Sequence, residues 1–351
     1  MSAQRYCYKS LRSEASIVTS VRSVTTVSLQ LLKDCVNELP LESWLPRRKS
    51  RLGRRGYTSR ALFLAYLLKL RENIPHDTVL SRKLEENATY REFCGFGRNE
   101  VPSHDTFSRF FRKLTTSRLE RLFSRLDSLL AAANVFDMDD LAIDATEVLS
   151  NSRNKHNPDP EAGYGYKSDK ERFHGYWVVS VAGTVSEIPR AVKVTPANVH
   201  QSKTALHLFD RLERVDRRNA AVLAADAAYD DKKTYARCVE LGLVPVIDYN
   251  RKKSKIKDFK SLRLSNWRKR CLGKEGVALR GTVYHHRVAV ERYQSTFKTI
   301  LNGRSVPVRG LKRVIRHVYG ALFLSQLYAM INWRLQQKPI SLPIVPLLAF
   351  F

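Results

Sequence analysis

LAIDATEVL, residues 141–149, decides the fold, because this β-type apolar run carries a carboxylate, Asp144, in its middle. A lone charge inside an apolar strand is costly unless the strand opens onto a polar site. The run AVLAADAAY, residues 221–229, repeats the pattern with Asp226. An isolated acid at a strand end is most often a turn residue or a helix cap. Two such acids on separate strands of one sheet instead predict a shared carboxylate site.

Three further runs are predicted to be strands. They are WVVSVAGTV (177–185), PRAVKVTPA (189–197) and LVPVIDY (243–249), and helical patterns over 202–217 and 231–241 separate the later strands. Three strands followed by helix, strand, helix and strand predict an α/β fold with a mixed sheet.

A charged and aromatic quartet follows within a helix predicted from about residue 282 to residue 301. Its members, Tyr284, Arg287, Glu291 and Lys298, are spaced by three, four and seven residues. At roughly 100° per residue, such spacing places all four within about 60° on one helix face. A carboxylate flanked by two cations is suited to a metal ion beside a phosphate diester, because the acid binds the metal and the cations bind phosphate oxygens.

The N-terminal part of the chain is predicted to be helical. One helix is predicted to begin at Pro102-Ser103, with apolar residues at i, i+3, i+4 and i+7 from Phe107. The opposite face is polar and basic, and its cations include Arg109, Arg112 and Lys113. This pattern is typical of the second helix of a helix-turn-helix. An ordinary bundle helix is the alternative.

The composition favours a polyanionic partner. The 61 Lys and Arg residues outnumber the 34 Asp and Glu residues, giving a net charge of +27. Nucleic acid is the leading partner, and a generally basic or ribosome-associated protein is the alternative.

Other features narrow the class of protein further. Five scattered cysteines without a C-x-x-C pair indicate reduced thiols, no zinc site and a cytoplasmic setting. We expect no signal peptide and no membrane span. The sequence has no G-x4-G-K-[ST] motif, so ATP is not expected as a cofactor.

These motifs together resemble the insertion-sequence DDE transposases of the branch with the signature Y-x2-R-x3-E-x6-K. Residues 284–298 fit that signature without a gap, and IDAT around Asp144 and ADAAYD around Asp226 resemble the family's first and second acidic motifs. GYGYK (163–167) and HGYW (174–177) are similar to the Gly-Tyr segment between them. Residues 51–115 resemble the helical domain that precedes the nuclease core.

The resemblance implies a ribonuclease H-like mixed sheet flanked by helices, preceded by an all-α helix-turn-helix-like domain. It implies that Asp144, Asp226 and Glu291 are the catalytic and metal-binding residues, with Mg²⁺ or Mn²⁺ as the metal. It also implies that Tyr284, Arg287 and Lys298 contact DNA near the terminal phosphates.

The predicted domains follow from these assignments. A weakly structured basic lead covers 1–50, the helical DNA-binding domain covers 51–135, the ribonuclease H-like DDE domain covers 136–338, and an apolar tail covers 339–351. Within the basic segment 251–280, Trp267 is a candidate for stacking on a flipped base, or else packs its ring under Arg side chains.

The expected activity is Mg²⁺-dependent cleavage at the terminal inverted repeats of an insertion sequence, followed by joining of the 3′-OH to target DNA. Expected partners are double-stranded transposon ends and target DNA, bound by a homodimer or larger assembly in the nucleoid. Two alternatives remain open: a catalytically silent DNA-binding relic of a transposase, and a nuclease that cuts without joining.

Overall fold

The computed structural model of this chain describes residues 28–46, 56–135, 140–151, 158–167, 171–212, 222–248, 267–268, 284–299, 301 and 303–337. Most of the predicted basic lead, the basic segment 251–280 apart from Trp267 and Arg268, and the apolar tail 339–351 lie outside these residues. Two compact units make up the described chain. One contains the residues up to Leu114 together with those from Met330 onward, and the other is Thr115–Ala329.

The first unit is helical. Its helices are α1 (28–38), α2 (Leu41–Trp44), α3 (Ser59–Arg71), α4 (Asp77–Glu86), α5 (Ala88–Cys94) and α6 (His104–Lys113). Local signals set several ends: the Thr58 hydroxyl accepts from the Ala61 amide at 3.1 Å and caps α3. Gly95 ends α5 in the left-handed region, with φ of 78°.

Helix α6 has the two faces that its sequence predicts. Phe107 and Phe110 are buried, while Arg109, Arg112 and Lys113 are exposed. The helix packs against α3 and α4. The helix-turn-helix assignment of this unit stays a prediction.

The second unit is built on a mixed sheet of six described strands. They are β1 (Leu141–Leu149), β2 (Gly163–Tyr166), β3 (Arg172–Gly183), β4 (Pro189–Pro196), β5 (Val222–Ala225) and β6 (Val244–Ile247). The order is β2-β3-β1-β5-β6, and β4 also pairs with β3. β1 is antiparallel to β3 and parallel to β5, which is parallel to β6. The five predicted strands are therefore present, and β2 is a strand that the periodicity did not indicate.

Among the described residues, five helices with complete bounds accompany the sheet. They are α7 (Thr116–Ala132), α8 (Gln201–Leu212), α9 (Lys232–Glu240), α10 (Val288–Thr299) and α11 (Leu311–Gln337), whose last residues belong to the first unit. Residues of α8 and α9 complete the apolar core with β1, β3 and β5. Over Leu311–Leu335, α11 is long and apolar enough to cross a membrane, but 72% of its most apolar window is buried inside the protein.

Two boundaries differ from the sequence prediction. Helix α7, assigned by sequence to the N-terminal domain, belongs to the second unit, where Asp127 forms a buried ion pair with Arg190 of β4 at 3.0 Å. The helix predicted from about residue 282 begins as a 3₁₀ turn, Tyr284–Arg287, and becomes α-helical only at Val288. The quartet is therefore divided between a turn and a helix rather than set on one continuous face.

Candidate active site

The parallel register of the central strands brings two predicted acids together. Ile143 of β1 is paired with Ala225 of β5. Asp144 follows Ile143 directly, and Asp226 follows Ala225 directly. The two carboxylates therefore leave neighbouring strands at the same level. Asp144 and Asp226 are far apart in the sequence, and the pairing of β1 with β5 brings them together.

Local backbone contacts fix both carboxylates. The Ala145 amide donates to Asp144 Oδ1 at 2.8 Å, and the Ala228 amide donates to Asp226 Oδ1 at 3.0 Å in the 3₁₀ turn that follows β5. Burial, together with the neighbouring Asp226 carboxylate, raises the pKa of Asp144 to about 7. Burial also raises the pKa of Asp226. The pair therefore carries negative charge that its surroundings compensate incompletely.

Arg287 connects this pair with the third predicted acid. Its Nη1 lies 3.6 Å from Asp144 Oδ2 and 2.6 Å from Glu291 Oε1. The Arg287 guanidinium also lies 5.8 Å from the ring centre of Tyr284. Five of the predicted site residues, Asp144, Asp226, Tyr284, Arg287 and Glu291, are thus brought into one cluster, in which Glu291 is partly exposed and paired with Arg287.

Two further residues at this cluster escaped the sequence analysis. Asp248 follows Ile247, which is paired with Ala225, so a third carboxylate ends the adjacent strand. The strand run LVPVIDY carried the signal, an acid directly after an apolar run. The Tyr229 hydroxyl is fully buried within the charge field of Asp144 and Asp226, and it has no hydrogen-bond partner among the described residues.

Lys298, the last member of the quartet, is held by a second carboxylate. Its Nζ donates to Glu147 Oε2 of β1 at 2.8 Å, and Lys167 Nζ lies 3.0 Å from Glu147 Oε1. Although burial opposes ionisation, hydrogen bonds from both lysines hold the pKa of Glu147 below its usual value. Glu147 follows Asp144 on β1 and therefore fixes the ammonium groups of Lys298 and Lys167.

The remaining predicted contact residues lie elsewhere. Trp267 packs edge-on against Tyr235, with ring centres 5.0 Å apart, and the Arg268 guanidinium lies 4.3 Å from its ring centre. In the first unit, Arg109 and Lys113 line an open cavity of about 1140 Å³, and Arg112 is exposed nearby on α6. A role in DNA binding stays a prediction for all four residues.

A divalent cation fits the donor set of the acid pair. Carboxylate oxygens are the ligands that Mg²⁺ and Mn²⁺ prefer, and a cation would favour the ionised form of Asp144, whose pKa is raised by burial and by the Asp226 carboxylate. Within the described part of the chain, no three His, Cys, Asp or Glu side chains are arranged to hold a metal ion. Glu291 would have to exchange Arg287 for the metal in order to complete such a set.

Comparison with known proteins found matching family models and related sequences. Residues 136–327 match the family described as "Transposase DDE domain", and residues 21–113 match "Transposase domain (DUF772)". In two strains of Halobacterium salinarum, proteins named "Probable transposase for insertion sequence element ISH11" are 28% identical over 262 residues, which cover 72% of this chain and 73% of each relative.

One solved structure resembles the fold over most of the chain. The cryo-EM structure of a piggyBac transposase synaptic complex with hairpin DNA has a TM-score of 0.50 and 11% identity. The match covers 92% of this chain and 78% of that chain. Together with the mixed sheet, this likeness supports the ribonuclease H-like core that the sequence predicted.

Proposed function

The chain belongs to the transposase DDE domain family, and on that premise we propose that it cleaves DNA at the ends of an insertion sequence and joins each 3′-OH to target DNA. Transposases are enzymes that act on DNA. The observation that carries the proposed chemistry is the placement of Asp144 and Asp226 at the same level of two parallel strands.

The proposed roles follow from the contacts of each side chain. Asp144 and Asp226 would hold the divalent cations, and Glu291, which is paired with Arg287, is the third acid proposed for this set. Bound Mg²⁺ or Mn²⁺ would supply an activated nucleophile and charge stabilisation for in-line displacement at phosphorus. Arg287 and Lys298 then bind phosphate oxygens, to which charge-assisted hydrogen bonds are strong. The guanidinium of Arg287 lies over the ring of Tyr284, which is proposed to help hold Arg287 in position.

DNA binding is proposed to draw on both units. The net charge of +27 favours binding to phosphate backbones. On α6, the exposed Arg109, Arg112 and Lys113 are proposed to contact the terminal repeats. Because a transposition reaction joins two element ends, we propose a homodimer or larger assembly on DNA.

A nicking assay tests this function directly. The full chain is mixed with a labelled duplex that carries the element's own terminus, with and without Mg²⁺, alongside Glu291→Gln. We expect metal-dependent nicking at the terminus and joining of the labelled 3′-OH, both lost in the variant while DNA binding remains.

The alternatives give different results in the same assay. Tight binding without a cut in either Mg²⁺ or Mn²⁺ would identify a DNA-binding relic. Cutting without joining would identify a nuclease. Cleavage that survives Glu291→Gln would remove Glu291 from the metal site.

Replacing Glu147 should separate DNA affinity from cleavage. In Glu147→Gln, Lys298 and Lys167 lose a charged partner, so DNA affinity should hold or rise and become more dependent on salt. Cleavage should fall about tenfold to a hundredfold, because Lys298 is no longer fixed. Single-turnover cleavage and binding over a salt series measure the two effects.

The matched control is Glu171→Gln. Glu171 pairs with Lys167 at 2.9 Å, and its carboxylate is exposed. This control should cleave DNA at the wild-type rate. Equal losses in the two variants would show that Glu147 does not act by positioning Lys298.

A further inference from the structure

The hairpin of β2 and β3 presents an exposed aromatic face. Tyr164 and Tyr166 are 53% and 61% exposed, and they lie opposite His174 and Arg172, respectively. Large aromatic side chains usually bury much more of their surface. We call these four residues the tyrosine ladder.

The other face of β2 explains why the ladder is rigid but not why it is aromatic. A Cβ at Gly163 would meet the Asn198 amide nitrogen at 2.6 Å, and one at Gly165 would meet the Phe173 ring at 2.7 Å. The glycines of GYGY therefore let β2 lie close against its neighbours. Because the tyrosines point away from this packing, the fold does not need their rings.

Arg172 and His174 contact the tyrosine rings of the ladder. The Arg172 guanidinium lies 3.8 Å from the ring centre of Tyr164 and 6.0 Å from that of Tyr166. The ring centres of His174 and Tyr164 are 4.7 Å apart, and Ser150 Oγ lies 2.9 Å from His174 Nδ1. The ladder thus presents ordered aromatic and guanidinium groups to solvent, which lowers the entropy cost of binding a ligand.

Ion pairs link the residue after β2 to helix α10. Lys167, which follows Tyr166 of the ladder, lies 3.0 Å from Glu147, and Glu147 accepts from Lys298 of α10 at 2.8 Å. Helix α10 also carries Glu291. A DNA strand bound by Lys298 would therefore pass close to Lys167 and to the end of β2 that carries Tyr166.

We propose that the tyrosine ladder binds unpaired bases of a DNA strand beside the active site, an inference that rests on the proposed function. Unpaired bases expose the π-faces that aromatic rings and guanidinium groups stack on, whereas bases inside a duplex do not. Arg172 and Lys167 add attraction for the phosphates. A surface for duplex backbone alone would need cations but no rings.

Binding without metal tests the ladder. The full chain, Tyr164→Ala/Tyr166→Ala and Tyr164→Phe/Tyr166→Phe are titrated against a labelled oligo-dT strand and a labelled duplex of equal length. Salt of about 0.3 M weakens contacts that depend only on phosphate. The alanine pair should bind the single strand about tenfold to a hundredfold more weakly, with duplex affinity within about twofold of wild type. The phenylalanine pair keeps the rings and should bind like wild type.

Each other outcome overturns the proposal. Unchanged single-strand affinity in the alanine pair would show that the ladder does not bind DNA. Equal losses for strand and duplex would show a backbone contact, and a loss in the phenylalanine pair would show that the hydroxyls rather than the rings bind. A melting curve like that of wild type shows that the alanine pair is folded. Because no cleavage is measured, failure of the nicking assay would leave this result intact, and the reverse also holds.

Discussion

Asp144→Asn is expected to lower the rate of DNA end cleavage by about a thousandfold, or about 4 kcal/mol of transition-state stabilisation. Asp144 and Asp226 directly follow Ile143 and Ala225, the last residues at which β1 pairs with β5. Replacing Asp144 by its amide analogue therefore removes one negative charge from the proposed metal ligands. Asparagine keeps the shape of the side chain and the acceptor for the Ala145 amide. Single-turnover cleavage of a labelled element end in Mg²⁺ measures the effect.

The same variant should remain folded and bind DNA. Burial and the Asp226 carboxylate raise the pKa of Asp144 to about 7, so the charged form is unfavourable in the metal-free protein. Removing that charge should leave the melting temperature without metal at or above the wild-type value at alkaline pH. Added Mg²⁺ should raise the melting temperature of the wild type more than that of the variant.

Asp140→Asn is the matched control for this prediction. Asp140 immediately precedes β1, and its Oδ1 accepts from the Val222 amide at 3.0 Å, a bond that asparagine can keep. The control should cleave at the wild-type rate. Cleavage by Asp144→Asn at a comparable rate would contradict the assignment of the metal site.

The sequence predicted the pair of Asp144 and Asp226 because each carboxylate stands out locally, next to an apolar run in which a charge would otherwise be costly. An acid after an apolar run is visible without a structure, and Asp144 and Asp226 both show it. The spacing of the quartet, which also fits the family signature, indicated Arg287 and Glu291, and the structure joins both to Asp144 in one ion-pair network. The register that unites the acids depends on long-range pairing and is not visible in local periodicity.

Other parts of the site depend on contacts that sequence spacing does not reveal. Glu147 and Lys298 are 151 residues apart, yet their side chains form a hydrogen bond. Tyr229 belongs to the second acidic motif, ADAAYD, but only the structure shows that its hydroxyl is buried. Strand β2 was missed because GYGY lacks the β-branched residues that mark strands, and close packing at its glycines replaces them.

The placement of α7 shows a similar limit. The predicted helical domain 51–135 includes this segment, but helical content alone does not say which core a helix joins. In the structure, the Asp127 carboxylate pairs with Arg190 and lies 3.4 Å from Gln326 Nε2 of α11. Phe123 and Glu120 of the same helix contact Tyr319. Long-range contacts of this kind place the helix in the second unit.

Asp127→Ala is therefore expected to reduce the free energy of unfolding by about 3–5 kcal/mol. The side chains of Asp127 and Arg190 are only 5% and 4% exposed, so the variant would leave a buried guanidinium without its carboxylate partner. Although Arg190 lowers the pKa of Asp127, burial raises it to about 6, so the carboxylate is ionised above that pH. Urea unfolding at pH 7.5, followed by circular dichroism and tryptophan fluorescence, measures the loss.

A double replacement distinguishes an unpaired charge from lost packing. In Asp127→Leu/Arg190→Met, both charges leave the interior and apolar groups fill the space, so most of the lost stability should return. If the double variant were as unstable as Asp127→Ala, shape rather than charge would hold α7 on the sheet. If Asp127→Ala itself lost less than about 1 kcal/mol, the pair would behave like an exposed salt bridge and could not fix the helix in this unit.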